Sequence, residues 1–210
     1  MINKLKQLLA RPYSWLLLFF VLYLGVFFLL EKITLNYHLV HVALDEVIPY
    51  NSLFFVPYFS WYIVFFGLPV LFLAKDTGDY LRLCFLQFVP VLLCCAVYFI
   101  WPTCQDLRPE NPDGPFGWAA AILYSADPPV NVCPSIHVCS SLSAAIGLCL
   151  SKRYRLRTKV LFCLWMLLII LSTVFMRQHS VIDVLWGVII VIPFAVFAET
   201  PVGKKWLHTA

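Results

Sequence analysis

The sequence predicts an all-α, polytopic membrane protein with six transmembrane helices. Hydrophobic residues make up 62% of the 210 residues, charged residues make up only 12%, and the mean hydropathy is +0.86. A soluble domain carries about 25% charged residues, so we expect lipid to cover most of this apolar surface. Because no linker or run of charge divides the chain, we interpret residues 1–210 as a single membrane domain.

Six apolar segments have, or nearly have, the ~20 residues that a helix needs to cross the hydrocarbon core of a bilayer. They are 13–30, 57–74, 81–101, 137–151, 159–176 and 181–198. The first follows a basic stretch, as in a signal peptide, but it is long enough to span and no small-residue cleavage site follows it, so we expect a retained helix. The fourth is short and rich in Ser, Ala and Gly, which predicts a central, closely packed helix.

The connection between the first two segments is not uniformly polar. From Ile33 to Val47, apolar residues recur at roughly helical spacing, which predicts a helix lying in the membrane interface. An aromatic-rich turn is expected between Pro49 and Pro57. Lipid access and simple anchoring are both open as roles for this region, and anchoring is the simpler of the two.

The distribution of Lys and Arg predicts the orientation, because these residues accumulate on the cytoplasmic side. Of the 15 Lys and Arg residues, all but Lys32, Arg108 and Arg177 fall in the tails and in alternate connections. This places both termini (1–12 and 199–210) in the cytoplasm of a multi-pass protein, which we assign to the plasma membrane. The connections predicted to be extracytoplasmic are 31–56, 102–136 and 177–180.

Polar residues of the types used in catalysis and phosphate binding cluster on that predicted external side. Ser135, after Pro134, is a typical helix N-cap, and the free N–H groups of a helix N-terminus bind phosphate. His137 would lie in the first turn beside such an anion. Arg108 and Arg177 carry forked guanidinium groups that suit phosphate oxygens.

A second histidine stands near the start of the last segment. The i, i+4 spacing of His179 and Asp183 would put them on one helix face, where the carboxylate fixes the tautomer and leaves the other ring nitrogen as a nucleophile. Each signal alone is weak, because a histidine near a helix end is often structural. Their joint occurrence on one face predicts a site that handles phosphate.

These residues resemble the signature motifs of the type 2 phosphatidic acid phosphatase superfamily. The stretch 134–137 (Pro-Ser-Ile-His) resembles the second motif, and Ser172 with His179 and Asp183 resembles the third. Arg108, followed by proline, resembles the end of the first motif. The resemblance covers roughly residues 45–198 and implies a six-helix core bundle of that family with an external active site.

Two positions depart from the family pattern. Trp101 stands where the first motif has Lys, and Thr173 stands where the third has Arg, although Arg177 is placed to replace one of these cations. The run 177–179 (Arg-Gln-His) and the stretch from Pro49 to Trp61 are more similar to the branch with inositol-phosphoceramide and sphingomyelin synthase relatives. Hydrolysis and transfer to an alcohol therefore both stay open.

The resemblance implies a two-step reaction through a phosphohistidine, without a metal or other cofactor. His179 would attack phosphorus, Asp183 would orient its ring, and His137 would act as general acid and then as general base. The residues implied in phosphate binding are Arg108, Ser135, Arg177 and Ser172.

The leading hypothesis is hydrolysis of a phospholipid or an isoprenoid phosphate, with no nucleic-acid partner. The first alternative is a lipid headgroup phosphotransferase. The second is a non-catalytic membrane protein or lipid transporter, which the two missing cations favour and the retained histidines oppose. A disulfide between Cys104 and Cys133 is also left open, with free thiols as the default. The lipid substrate and the oligomeric state stay undetermined.

Overall fold

The chain is mostly helical over residues 2–33 and 36–208, which the computed structural model describes. In chain order the elements are α1 (Ile2–Leu9), a 3-10 turn (Ser14–Leu18), α2 (Phe19–Ile33), β1 (His38–Leu39), α3 (Ala43–Val47), a second 3-10 turn (Ser52–Phe54), α4 (Phe55–Lys75), α5 (Thr77–Ile100), β2 (Thr103–Cys104), α6 (Gly117–Ala126), α7 (Ile136–Leu150), α8 (Leu156–Phe175), α9 (Val181–Glu199) and α10 (Pro201–His208).

Five helical segments among the described residues are long and apolar enough to cross a membrane, as an all-α membrane protein requires. They are Ser14–Lys32, Ser52–Lys75, Thr77–Ile100, Leu156–Phe175 and Val181–Glu199. The remaining predicted span, 137–151, is helical as α7, but its 15 residues make it only about 22 Å long. Five of the six predicted spans are therefore long enough to cross a membrane, and the sixth, α7, is shorter.

The short helix α7 lies at the centre of the bundle and packs against α4, α5, α8 and α9. Its small side chains allow close approach: the Ser143 hydroxyl donates to the Leu86 carbonyl of α5 at 2.5 Å. On its other side, Gly187 of α9 packs on the first turn of α7. A Cβ at Gly187 would lie 2.9 Å from the Cβ of Val138 and 3.1 Å from the Ser135 carbonyl oxygen.

The helix directions give the bundle two chemically different ends. At one end α7 and α9 begin and α5 stops; we call it the histidine end, after His137 and His179. At the other, α5 begins and α7 and α9 stop; we call it the basic end, after Arg82, Lys152 and Lys204. The two histidine motifs therefore share one end of the molecule.

The segment before α4 differs from the predicted interfacial helix over Ile33–Val47. Only Ala43–Val47 is helical, and β1 pairs in parallel with β2. The helical prediction was wrong over residues 36–42, because the His38 and Val40 N–H groups donate to carbonyls of the 102–104 stretch. Residues 34 and 35 lie outside the described part. We call residues 36–51 the covering segment.

The predicted turn between Pro49 and Pro57 is also shorter than expected. Helix α4 begins at Phe55, so Tyr58 and Trp61 lie inside it, and both are buried. The aromatic cluster is therefore partly a helix face that points into the protein.

We predict that Gly187→Ala destabilises the protein, because its new methyl group would overlap the stiff Val138 side chain and a backbone carbonyl. The expected loss is about 1–3 kcal/mol, measured as a lower Tm in detergent. Gly67→Ala is the matched control, since nothing lies within 4 Å of a Cβ at Gly67 in α4. Equal Tm changes in the two variants would contradict close packing of α9 on α7.

Candidate functional site

The starts of α7 and α9 are joined directly. The Ser135 hydroxyl accepts from the Val138 N–H at 3.4 Å, so Ser135 is the N-cap that the sequence predicted. The Ser135 N–H in turn donates to the Asp183 carbonyl of α9 at 3.1 Å. This link fixes the two helix starts that carry the histidines.

A tight corner between α8 and α9 delivers the second histidine. The N–H groups of Gln178 and His179 both donate to the Thr173 carbonyl, at 2.9 and 3.1 Å. Arg177 takes the left-handed backbone conformation, with φ 52°, that this reversal requires. His179 therefore lies just before α9, next to the start of the last segment that the sequence predicted.

The Asp183 carboxylate is held by the start of α9 as well as by its contact with His179. Ser180 is the N-cap of α9, and its N–H donates to Asp183 Oδ2 at 2.9 Å, which completes a capping box. The same oxygen lies 3.3 Å from His179 Nδ1. Asp183 is fully buried, and 6% of His179 is exposed. The carboxylate thus orients the imidazole and leaves its Nε2 outside the contact.

His137 lies in an aromatic cage. Its ring centroid is 4.1 Å from that of Trp61, 4.7 Å from Tyr58 and 6.4 Å from Tyr62. A hydrogen bond of 2.7 Å from Trp61 Nε1 to the Ser140 hydroxyl holds the indole in place. The sequence predicted only an aromatic-rich turn near these residues, because their contact with His137 joins distant parts of the chain.

The two imidazoles face one another across a short gap. The ring centroids of His137 and His179 are 5.5 Å apart, with the planes at 61°. The predicted pairing of two histidines at one end of the bundle is therefore present in the geometry. Groups at this separation can act on opposite sides of one phosphorus atom.

Among the described residues, Arg108 is the one Lys or Arg that lines a common cavity with the two histidines. Its Nη1 donates to the Asp127 carbonyl at 2.6 Å, and its Nη2 donates to the side-chain oxygen of Gln178. The guanidinium also lies over the Tyr124 ring, 4.8 Å from its centroid. These contacts hold the arginine in one orientation.

Three further polar residues were not predicted. Asp127, Asn131 and Gln178 all line the same cavity as the histidines. Burial raises the pKa of the Asp127 carboxyl, against the opposing effects of nearby Arg108 and His179. A carboxyl that protonates more readily repels an incoming phosphate less. The only signal in the sequence was an acid in the long 102–136 connection.

A cavity of about 180 Å³ unites these groups. Its polar lining comprises Arg108, Asp127, Asn131, His137, Gln178 and His179. Among the described residues, several of its buried polar atoms have no hydrogen-bond partner: Arg108 Nε, Gln178 Nε2, His137 Nε2 and both amide atoms of Asn131. Buried polar groups are normally paired, so this lining suits a polar ligand.

One wall of the cavity is apolar and comes from the first long helix. Tyr23, Leu24, Phe27 and Phe28 of α2 line it. Only 11% of the Ser14–Lys32 span is buried inside the protein, compared with 56% for α5. The polar chemistry therefore lies beside a loosely attached helix that faces the bilayer.

Three predicted phosphate-binding residues do not line this cavity. Ser135 caps α7, and the Ser172 hydroxyl donates to the Ile169 carbonyl at 2.6 Å. Arg177 donates to the carbonyls of Asp45 and Ile48, at 2.9 and 2.5 Å. In this arrangement Arg177 holds the covering segment.

The two departures from the family motifs also lie away from the cavity lining. Trp101 is 56% exposed and stacks on His38, with ring centroids 4.0 Å apart. Thr173 is buried, and its hydroxyl donates to the Ile170 carbonyl at 2.7 Å. Cys104 and Cys133 are both free thiols.

Asp45 ties the covering segment to the start of α9. This carboxylate is 1% exposed and accepts from the Val181 N–H at 2.8 Å, the Ser180 hydroxyl at 2.6 Å and the Val42 N–H at 2.9 Å. A carboxylate at a helix N-terminus is also favoured by the helix dipole. The covering segment is thus anchored directly beside His179.

A family model described as the PAP2 superfamily matches residues 58–205. No curated protein and no solved structure shows a significant match to the chain. The matched range contains the six charged, imidazole and amide residues of the cavity lining, and it begins after α2 and the covering segment.

We predict that Asp45→Ala lowers stability by about 2–3 kcal/mol, because it removes a helix cap and leaves buried donors unpaired. Thermal unfolding in detergent measures the loss, and limited proteolysis should show earlier cleavage in the covering segment. Glu46→Ala is the control, since Glu46 is exposed and, among the described residues, its ion-pair partner is His41. Equal behaviour of the two variants would contradict the anchoring role of Asp45.

Proposed function

The chain belongs to the PAP2 superfamily, and on that premise we propose that it hydrolyses a lipid phosphate through a phosphohistidine formed on His179. The family indicates phosphatase or phosphotransferase activity on lipid phosphates. The observation that carries the proposed phosphohistidine mechanism and lipid substrate is a single cavity, lined by His137, His179 and Arg108 and by one apolar wall.

In the first step, Nε2 of His179 attacks phosphorus and the bond from phosphorus to the lipid oxygen breaks. Asp183, through its contact with Nδ1, holds the ring and stabilises the positive charge that forms on it. His137 gives its proton to the departing oxygen, so the lipid leaves as an alcohol, or as a phosphate if the substrate is a diphosphate.

In the second step, His137 takes a proton from water as the water oxygen attacks the phosphohistidine. The bond between phosphorus and nitrogen then breaks, and inorganic phosphate is released. The rings of Trp61 and Tyr58 support this cycle, because their packing holds the His137 imidazole in place in both steps. The protein atoms return to their starting state without a metal.

The phosphoryl oxygens are held by Arg108, with Gln178 and Asn131 as further donors. Arg108 is already oriented by the Asp127 carbonyl and the Tyr124 ring, so it loses little freedom when phosphate binds. Its Nε and the Gln178 Nε2 have no protein partner in the described chain. They are placed to donate to an anion.

The substrate class follows from the apolar wall. Aromatic and leucine side chains of α2 beside a polar cavity suit a phospholipid or an isoprenoid phosphate, whose chain remains in the bilayer. The headgroup reaches the histidines while the tail lies along α2.

Transfer to a lipid alcohol is the second candidate function. It is favoured by the enclosure of the site, because His179 is only 6% exposed and the covering segment is anchored beside it. An acceptor arriving from the membrane would then compete well with water. The chemistry of the first step is the same in both cases.

We predict that His179→Ala lowers phosphate release from a labelled lipid panel by roughly a thousandfold or more, and that His137→Ala lowers it by a hundred- to ten-thousandfold. His41→Ala, which changes an exposed histidine of the covering segment, is the control. EDTA should have no effect on the parent protein.

The same panel separates the alternatives. A new labelled lipid that forms without free phosphate when an alcohol is added would establish transfer. Turnover in His179→Ala equal to the parent's would refute the phosphohistidine. A parent protein inactive on every lipid would instead favour the non-catalytic or transport hypothesis.

We propose that the histidine end is extracytoplasmic and that both termini are cytoplasmic, from the excess of Lys and Arg at the basic end. The exposed residue Asp113 lies in the connection before α6, and the exposed residue Arg157 lies near the start of α8.

We therefore predict that a cysteine in Asp113→Cys reacts with an impermeant thiol reagent on intact cells. A cysteine in Arg157→Cys should react only after permeabilisation, and the unchanged chain gives the background. The reverse pattern would invert the proposed orientation.

A further inference from the structure

A second polar cavity, of about 940 Å³, lies at the basic end of the bundle. It is formed where α5 starts, where α7 and α9 end and where α10 folds back against α5 and α9. α7 separates it from the histidine cavity by about 22 Å. It is therefore distinct from the site proposed above.

The lining of this basic-end cavity is predominantly cationic. It carries five cations (Arg82, Lys152, Arg153, Lys204 and Lys205) and three carboxylates (Asp76, Asp79 and Glu199), which gives a net lining charge of +2. Each carboxylate already has a cationic partner. The pairs are Arg153 with Asp76 at 2.7 Å, Arg82 with Asp79 at 3.4 Å and Lys204 with Glu199 at 2.8 Å.

Buried contacts build this cavity into the fold. The Arg82 side chain is 5% exposed, and its partner Asp79 also accepts from the fully buried Ser151 hydroxyl at 2.5 Å. Clusters of Lys on a flexible surface loop lack such support. Here the acids position the arginines in the cavity wall.

The return of α10 brings two further lysines to the cavity. Gly203 allows it, because a Cβ at that position would lie 2.0 Å from the Phe197 carbonyl oxygen. The Gly203 N–H donates to the Thr200 hydroxyl at 3.0 Å, which closes the turn between α9 and α10. Lys204 and Lys205 follow at once and line the cavity.

We propose that the basic-end cavity binds a phosphate-bearing anion, of the kind carried by a phospholipid headgroup or a soluble phosphate. Guanidinium forks and ammonium groups are the usual partners of phosphate oxygens, and cations outnumber acids in this lining. Lys152 is the best residue to probe, because it lines the cavity and has no ion-pair partner among the described residues.

The test uses the full chain with His179→Ala in every sample, so that turnover at the histidine cavity does not interfere. Two probes separate the sources: phosphatidylinositol 4-phosphate added to phosphatidylcholine nanodiscs, and inorganic phosphate added to nanodiscs of phosphatidylcholine alone. Hydrogen exchange is followed in residues 151–155 and 201–207, which contain four lining residues of the basic-end cavity and none of the histidine cavity.

We predict slower exchange in these segments with at least one probe. Lys152→Glu should raise the concentration of that probe needed for half-maximal protection by about tenfold or more. Lys152→Gln should give a smaller rise. Arg157→Glu is the matched control, because it reverses an exposed charge near the same end but outside the cavity.

Protection by the lipid alone would assign the site to a headgroup, and protection by inorganic phosphate would assign it to a soluble anion. Unchanged exchange with both probes would overturn the proposal. Equal weakening by Lys152→Glu and Arg157→Glu would also overturn it, since it would indicate only general surface charge.

Discussion

The geometry of the candidate site depends on the contact between the first turns of α7 and α9. The Ser135 N–H donates to the Asp183 carbonyl, and Gly187 lets the two helices approach until Val138 touches its backbone. Each histidine is held by its own helix start, through a cap at Ser135 or a capping box at Ser180. Because the two starts are joined, the imidazoles meet at a fixed separation without a flexible loop between them, which is the preorganisation that catalysis requires.

The surroundings of the cavity strengthen this arrangement. The covering segment is anchored by Asp45 on one side, and aromatic rings of α4 enclose His137 on another. Exclusion of water raises the effective strength of the charges on Arg108, Asp183 and the histidines. The same enclosure limits access from solvent, and in the proposed function the lipid tail lies along α2 at the apolar wall of the cavity.

The sequence predicted those parts of the structure that are set by local interactions. The long helices follow from apolar runs, and Ser135, His179 and Asp183 follow from cap and i, i+4 patterns whose partners lie within one turn. Asp45, Asp127 and Gln178 were missed because their contacts join segments far apart in the chain. The interfacial helix over residues 36–42 failed for the same reason, since a strand near residue 103 competes for its backbone. The sequence placed Arg177 at the histidine end of the bundle. It could not predict that the tight corner directs the Arg177 side chain to the covering segment, because spacing along the chain does not fix the direction of a side chain in such a turn.

The shortness of α7 has a consequence for the membrane itself. A helix of about 22 Å falls roughly 8 Å short of a hydrocarbon core of about 30 Å. The bilayer must thin around it, or its ends must lie in recesses below the headgroups. The longer neighbours of α7 favour recesses, and a cavity is present at each end, one bordered by Ile136 and the other by Leu150. Hydrophobic mismatch at a single central helix thus accounts for both polar depressions in an otherwise apolar bundle.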